Sequence, residues 1–261
     1  ITCRDWSSDV CSSDLGARVQ IVAPPATRDG MIVAVRKHVS ANMALVDYEQ
    51  SGAFAETRGA DEMHTADAEL EHLYAARAWS AFLRAAVRAR RTIVVSGGTS
   101  TGKTTFLNAL IREVDTSERL VLIEDTPELV LEHDNAVGLV AVRGAMGEAT
   151  VTTDDLLIAS LRLRPDRIIL GELRGSEAFT FLRAVNTGHP GSLTTIHADS
   201  PDGAFEQLVL MSLQAGASLH RSDIRDYMGN VVDIVVQLER RAGMRRVAAV
   251  HWKRKESDPV L

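Results

Sequence analysis

Residues 97–104 read Gly-Gly-Thr-Ser-Thr-Gly-Lys-Thr and fit the phosphate-loop pattern G-x-x-x-x-G-K-[ST] without a gap. A short apolar run typical of a strand precedes them and a helix-like segment follows, which is the context that this loop requires. Its glycines let successive backbone N–H groups surround a phosphate, and the helix adds the positive end of its dipole. The sequence therefore predicts a nucleotide site formed by Gly97, Gly98, Thr99, Ser100, Thr101, Gly102, Lys103, Thr104 and Thr105.

Side chains of this loop have separate tasks in the predicted site. Lys103 is expected to neutralise the β- and γ-phosphate oxygens, and the hydroxyl of Thr104 is expected to ligate Mg²⁺. Thr105 follows directly and is expected to support the α-phosphate. These assignments give nucleotide binding, whereas hydrolysis needs further groups.

Acidic residues follow two other strand-like runs. Glu172 ends the apolar run of "RIILGE", where an acid holds the metal, directly or through water, or orients the attacking water. Glu124, Asp125 and Glu128 crowd "IEDTPEL", and carboxylates this close repel unless a cation or arginines share them. A metal-nucleotide supplies such a cation, and one of the three could be the general base for water. Spacing does not decide which one, and surface acids at a turn remain the alternative for each.

The segment "NTGHPGSLTTIHADSP", residues 186–201, contains His189 and His197. A neutral imidazole can donate to a phosphate oxygen, so both histidines are candidates for sensing the nucleotide. Two hydrogen-bonded histidines without a catalytic role are the alternative, and the residues alone do not choose between these interpretations.

The elements that must position these groups alternate between strands and helices from residue 91 onward. This alternation predicts an α/β fold with a mostly parallel sheet and helices on both faces. Residues 67–90 have helical spacing, and the segment from Val231 onward is typical of a terminal hairpin. Residues 17–39 predict two strands, followed by a short helix or turn. We therefore expect an N-terminal unit at 17–56, a linker at 57–66 and a nucleotide-binding domain at 67–261.

Residues 1–16 differ in character from the rest of the chain. They are rich in Ser and Asp, repeat Ser-Ser-Asp and show neither helical nor strand periodicity. We expect them to be disordered or foreign to the natural sequence, with no role in function. Cys3 and Cys11 are the only cysteines, so the remaining chain cannot build a thiolate metal site or a disulfide.

Composition limits the partners of this chain. The formal net charge of −6 and the pI of about 5.8 give no strong sign of direct nucleic-acid binding, which usually needs a basic face. No apolar run approaches the roughly 18 residues of a membrane-spanning helix, and no signal peptide is visible. We expect an intracellular protein whose membrane contacts are made through partners.

Taken in order, "GGTSTGKTT", "IEDTPEL", "LRLRPDRIILGELRG" and "TGHPGSLTTIHADSP" resemble the motifs of the secretion-superfamily ATPases. The match is strongest with the VirB-type traffic ATPases of type IV secretion systems, and it covers residues 17–261. The resemblance implies a RecA-like P-loop NTPase core with a mostly parallel sheet, preceded by a truncated α+β N-terminal domain. It also implies ATP hydrolysis with Mg²⁺.

The resemblance assigns roles to residues at the matching positions. It implies that Glu172 is the Walker B acid, that Glu128 or Glu124 is the catalytic carboxylate, and that His189 and His197 form the His box. Of these two histidines, His197 is the better candidate for sensing the γ-phosphate. Arginines of the N-terminal domain approach the phosphates in this family, and the matching positions are Arg18 and Arg36. Arg143 is a further candidate, for a contact across a subunit boundary.

Family members are ring-shaped homohexamers that work with other secretion-system components at the inner membrane. The resemblance therefore implies a cytoplasmic protein, peripheral to that membrane through its partners. The N-terminal domain of the family is longer than residues 17–56. The resemblance therefore does not decide whether this chain assembles into a ring.

Other nucleotide-binding classes fit less well. The guanine-reading Asn-Lys-x-Asp of regulatory GTPases is absent from the sequence, and a small-molecule kinase would not need the segment with the two histidines. Type II secretion motors commonly carry a four-cysteine module, and no cysteine lies beyond Cys11. A pilus-retraction motor and a nucleotide-binding fragment inactivated by truncation remain as alternatives.

Overall fold

The computed structural model describes residues 17–37, 43–55, 57, 68–142, 150–216 and 220–253, together with the backbone of residues 8–12. The strands are β1 Ser8–Ser12, β2 Arg18–Val22, β3 Ile32–Arg36, β4 Ile93–Gly97, β5 Leu120–Glu124, β6 Ala136–Val140, β7 Arg167–Leu173, β8 Leu193–Ile196, β9 Ile234–Arg241 and β10 Met244–Trp252. The helices are α1 Leu45–Gln50, α2 Ala68–Ala75, α3 Trp79–Arg88, α4 Lys103–Ile111, α5 Thr153–Ser160, α6 Glu177–Asn186, α7 Pro201–Gln214 and α8 Arg221–Val231.

The larger sheet contains seven strands in the order β10-β9-β4-β8-β7-β5-β6. Every pair from β9 to β6 is parallel, and only β10 pairs antiparallel, with β9. Parallel pairing places the carboxyl ends of β4, β5, β7 and β8 at one edge, where a ligand site forms in folds of this kind. The predicted α/β fold and the terminal hairpin are confirmed.

Residues of the central strands alternate between two apolar layers. Val94 belongs to the layer that contains residues of α5, α6, α7 and α8, whereas Ile93 and Val95 belong to the layer of α2, α3 and α4. All five residues of β4 and of β5 are buried. A parallel sheet covered by helices on both faces requires such continuous apolar strands, and the sheet is therefore held rigidly at its centre.

The smaller sheet is antiparallel and has three strands in the order β1-β2-β3, of which β2 and β3 belong to the N-terminal unit. Strands β2 and β3 confirm the two strands predicted between residues 17 and 39. Strand β1 was not predicted, because residues 1–16 lack the alternation of a strand; its backbone pairs with β2 from Ser8 to Ser12. Helix α1 confirms the short helix expected after β3.

Two local features differ from the expectations. The helical spacing over 67–90 is divided between α2 and α3, because Arg77 adopts a left-handed conformation with φ of 55° between them. Strand β6 was missed because only two of its five residues are buried, which gives a weak sequence pattern. The predicted linker at 57–66 lies outside the described residues, apart from residue 57.

Within the described part of the chain, none of the helices combines the length and the apolar character needed to cross a bilayer.

Candidate active site

The phosphate loop is the turn between β4 and α4, at the carboxyl edge of the sheet. Ser100 and Gly102 have positive φ angles of 63° and 91°, which let the loop curl back on itself. The hydroxyl of Thr101 donates to the carbonyl of Gly98 at 2.8 Å. A Cβ on Gly97 would lie 2.5 Å from Thr101 Oγ1, so this position requires glycine.

Lys103 is the first residue of α4, and its side chain is 9% exposed. Its ammonium donates to the carbonyls of Gly97 at 3.1 Å and Gly98 at 3.4 Å, and it lies 3.7 Å from Glu172 Oε1. Burial lowers the pKa of Lys103, and the charge of Glu172 opposes that effect. The Lys103 side chain therefore bends back over the phosphate loop, and its ammonium lies where the β- and γ-phosphates of a nucleotide are expected.

Glu172, near the end of β7, is in contact with Lys103, His197 and Arg174. His197 Nε2 lies 2.9 Å from Glu172 Oε1, and Arg174 Nε donates to Glu172 Oε2. The pairing of β7 with β8 shifts register between Leu170 and Leu173, the stretch that contains Glu172. Such irregularities are common beside active sites, where they re-aim side chains, and Glu172 lines the cavity.

Arg174 was not among the predicted site residues, although it stands two positions after Glu172. Its Nη1 donates to Asp125 Oδ2 at 2.7 Å, so one guanidinium bridges Asp125, directly after β5, and Glu172, near the end of β7. The hydrogen bond with Glu172 raises the pKa of Arg174, against a smaller opposing effect of burial. Thr153 adds a bond to Asp125 Oδ1 at 3.2 Å, which ties the start of α5 into the same cluster.

Glu124 and Glu128 have different environments although they are four residues apart. The side chain of Glu124 is 3% exposed, and its Oε1 accepts from the backbone N–H groups of Glu128 at 2.9 Å and Leu129 at 2.7 Å. Its Oε2 accepts from Arg28. Glu128 is exposed to the cavity, and among the described residues none bonds to its carboxylate. The geometry therefore favours Glu128 over Glu124 as the carboxylate available to a water molecule.

These side chains line a cavity of about 380 Å³ above the phosphate loop. Its wall contains the loop, the acids and the cations described above, with further contributions from the neighbouring strands. The lining residues are Thr99, Ser100, Thr101, Gly102, Lys103, Thr104, Thr105, Glu124, Asp125, Thr126, Glu128, Thr153, Leu170, Gly171, Glu172, Arg174, Thr195, His197 and Arg245.

A second, mainly apolar groove continues from this cavity past the start of α4. Phe106 and Ala109 of α4 form one side, and Leu238 of β9 and Val247 of β10 form another. Arg245 of β10 lines both the cavity and the groove, and its Cδ would lie 3.0 Å from a Cβ on Gly102. Sequence reasoning missed Arg245, because the hairpin that carries it has no recognisable nucleotide motif.

Comparison with known proteins identifies the family. Residues 33–251 match the family model described as "Type II/IV secretion system protein". The chain belongs to this family. It is 37% identical over 250 residues to the type IV secretion system protein VirB11 of Bartonella quintana, covering 90% of this chain and 70% of that protein. It is 43% identical over 231 residues to VirB11 of Brucella suis, covering 86% of this chain and 64% of that protein.

A solved structure supports the same conclusion. The crystal structure of the VirB11 ATPase from the Brucella suis type IV secretion system, in complex with sulphate, superimposes with a TM-score of 0.86 at 38% identity. The match covers 94% of this chain and 76% of that one. These similarities confirm the predicted VirB-type ATPase and the RecA-like fold, and they favour a type IV secretion motor over the alternatives of a pilus or type II motor.

Of the two predicted His-box residues, the structure brings only His197 to the cavity. His189 precedes β8 and therefore lies at the amino end of that strand, opposite the phosphate loop. Its Nδ1 lies 3.0 Å from the carbonyl of Pro165. The same segment is anchored by the fully buried Arg167, which donates to Gly191 O at 3.2 Å. Within this chain His189 therefore contacts the segment that precedes β7 and lies away from the cavity.

Two of the three predicted arginines, Arg18 and Arg36, lie in the described part of the chain. Arg18 and Arg36 are exposed and face each other in register on β2 and β3, and neither lines the cavity. Arg143 lies outside the described residues.

The two histidines provide a matched pair of variants. We expect His197→Gln to lower kcat for ATP hydrolysis about tenfold or more, because it removes an imidazole that contacts both Lys103 and Glu172. We expect His189→Gln to lower the midpoint of urea unfolding and to leave kcat per folded molecule within about twofold. Steady-state turnover and unfolding curves measure both. A well-folded His189→Gln protein without turnover would show that His189 acts on the reaction.

Proposed function

We propose that the cavity at the phosphate loop binds Mg-ATP and hydrolyses its γ-phosphate, and that this reaction drives a type IV secretion system. The observation that supports this proposal most directly is the meeting of Lys103, Glu172 and His197 within 3.7 Å of one another at the mouth of the loop. An ammonium, a strand-end acid and an imidazole converge where the γ-phosphate of a bound nucleotide would lie.

The donor groups fit Mg²⁺, which prefers oxygen ligands and usually binds one or two carboxylates together with substrate phosphates. The hydroxyl of Thr104 and the carboxylate of Glu172 would hold it, directly or through water. When bound, Mg²⁺ neutralises negative charge on the β- and γ-phosphate oxygens. Thr105, next on α4, would lie beside the α-phosphate.

The protein side chains divide the remaining tasks. Lys103 and the loop N–H groups orient the triphosphate, and Glu128 accepts a proton from the attacking water. His197 donates to a γ-phosphate oxygen in place of its contact with Lys103. Arg174 holds Glu172 and Asp125 in position while the charge of the phosphate changes. Loss of the γ-phosphate restores the contacts between these side chains, which couples hydrolysis to a change in the site.

The apolar groove would receive the purine base. A planar guanidinium stacks on aromatic rings, and Arg245 stands where the groove meets the phosphate cavity. The apolar side chains of the groove would cover the other edges of the base.

Assembly and partners are also part of the proposal. We infer a homohexameric ring that works at the inner membrane, on its cytoplasmic side, with other components of the secretion system. Arg18 and Arg36 would approach the phosphates of a nucleotide, and Arg143 would make a contact across a subunit boundary. The first two do not line the cavity of their own chain, which is consistent with a nucleotide held by another subunit. The similarity to VirB11 proteins supports these inferences.

Two substitutions separate binding from hydrolysis. We expect Lys103→Ala to abolish turnover, with a loss of about 100-fold or more, because the cation opposite the phosphates is removed. We expect Glu172→Gln to bind ATP with affinity within about threefold of the unsubstituted chain but to hydrolyse it slowly. Phosphate release and fluorescent-nucleotide titration measure the two properties. Normal turnover by Lys103→Ala, with its fold retained, would refute the proposed ATP site.

Rate per subunit should rise with protein concentration, because Arg18 and Arg36 do not line the cavity of their own chain and, in the proposed ring, would act on a nucleotide held by a neighbouring subunit. The measurement is turnover over a dilution series, with sedimentation at each concentration and Lys103→Ala as the blank. A constant, nonzero rate from a chain that sediments as a monomer would contradict a site completed between subunits.

Arg245→Met is expected to weaken ADP binding about tenfold while leaving pyrophosphate binding unchanged, because stacking on the base is lost and the phosphate contacts remain. Isothermal titration with both ligands measures the difference, and the exposed Arg241→Met on the same hairpin is the control. Equal losses for ADP and pyrophosphate would place Arg245 on the phosphates instead of the base.

A further inference from the structure

The connection between β2 and β3 reaches the active site of the large sheet. Its backbone adds to the free edge of β6: Arg28 N–H donates to Gly138 O at 3.0 Å, and Val140 N–H donates to Ala26 O at 2.9 Å. Thr27 completes this short antiparallel bridge opposite Leu139. The N-terminal unit is therefore hydrogen-bonded to the sheet that carries the phosphate loop.

The side chain of Arg28 then crosses β6 toward the end of β5. It is 14% exposed, its Nη1 donates to Leu129 O at 2.7 Å, and its Nη2 donates to Glu124 Oε2. A Cβ on Gly138 would lie 2.6 Å from Arg28 Cδ, so the absence of a side chain at Gly138 opens the path. The Arg28 side chain therefore passes over Gly138 of β6 to reach Glu124 at the end of β5.

Glu124, the acceptor of that guanidinium, holds the loop that follows β5, residues 125–130 (the acidic loop), in place. Its other oxygen accepts from the backbone N–H groups of Glu128 and Leu129. Asn108 of α4 supports the same loop, accepting from Val130 N–H at 2.9 Å and donating to Glu128 O at 3.4 Å. The position of Glu128 thus depends on the carboxylate of Glu124, which in turn depends on Arg28.

We propose that Arg28 is a positioning residue for ATP hydrolysis, through which the N-terminal unit controls the placement of Glu128. This inference rests on the proposed function of the cavity. Because the cation comes from the N-terminal unit, displacement of that unit withdraws it and leaves a buried carboxylate unpaired. An unpaired buried carboxylate must take up a proton or move into water, and either change releases its hold on the loop.

The test measures kcat and KM for ATP in Arg28→Ala, Arg28→Lys and Gly138→Ala. We expect Arg28→Ala to lower kcat about tenfold or more while KM changes less than threefold, and Arg28→Lys to recover part of the loss. Gly138→Ala obstructs the side chain without removing its charge and should also lower kcat. In the Arg28→Ala background Gly138→Ala should have no further effect, because the obstructed side chain is gone.

The control is the exposed ion pair of Arg84 with Glu113, 2.9 Å apart, where Arg84→Ala should leave kcat unchanged. Unfolding midpoints are measured for each variant, and rates are expressed per folded molecule. The positioning role is overturned if folded Arg28→Ala turns over normally, if only KM rises, or if the loss follows the unfolded fraction. If Arg28→Ala does not fold, Arg28→Lys and Gly138→Ala decide the question by the same criteria. Absence of turnover in the unsubstituted chain, relative to Lys103→Ala, would count against the proposed function.

Discussion

The parallel pairing of β4, β8, β7 and β5 is the constraint on which the rest of the site depends. Parallel strands end at a common edge, so the phosphate loop after β4, His197 after β8 and Glu172 near the end of β7 are brought together although they are distant in sequence. Helices cover both faces of these strands, which prevents the edge from shifting. The side chains of the site therefore lie on short loops or at strand ends, and the buried strands fix their positions.

Charge compensation is the second constraint, because acids and cations are crowded around one cavity. Glu172 contacts the ammonium of Lys103, the guanidinium of Arg174 and the imidazole of His197, and Asp125 shares Arg174. Without such sharing the carboxylates would repel one another. A bound triphosphate and its metal ion add charges of both signs to the cavity. Contacts between the acidic and basic side chains are then replaced by contacts of these side chains with the ligand. The site is consequently suited to differ between its nucleotide-bound and nucleotide-free states.

Local patterns were sufficient to predict the phosphate loop and the alternating strands and helices. They failed where a contact joins distant elements. Arg28 and Arg174 bond to acids that follow or end other strands, and an arginine engaged in such a contact has the same appearance in a sequence as a solvated one. The eight-residue spacing of His189 and His197 likewise does not reveal that β8 lies between them. Because of this strand, the two histidines lie at opposite ends of β8.

The two parts of the site differ in how firmly they are held. The phosphate loop follows β4, which has paired strands on both sides and five buried residues. The acidic loop follows β5, whose outer neighbour β6 is the edge strand, with only two buried residues and the connection from the N-terminal unit beyond it. Edge pairings open at lower free energy than central ones. In the proposed role of Arg28, a motion of the N-terminal unit would alter the acidic loop while the phosphate loop keeps its shape, and the control of hydrolysis would be separate from the binding of nucleotide.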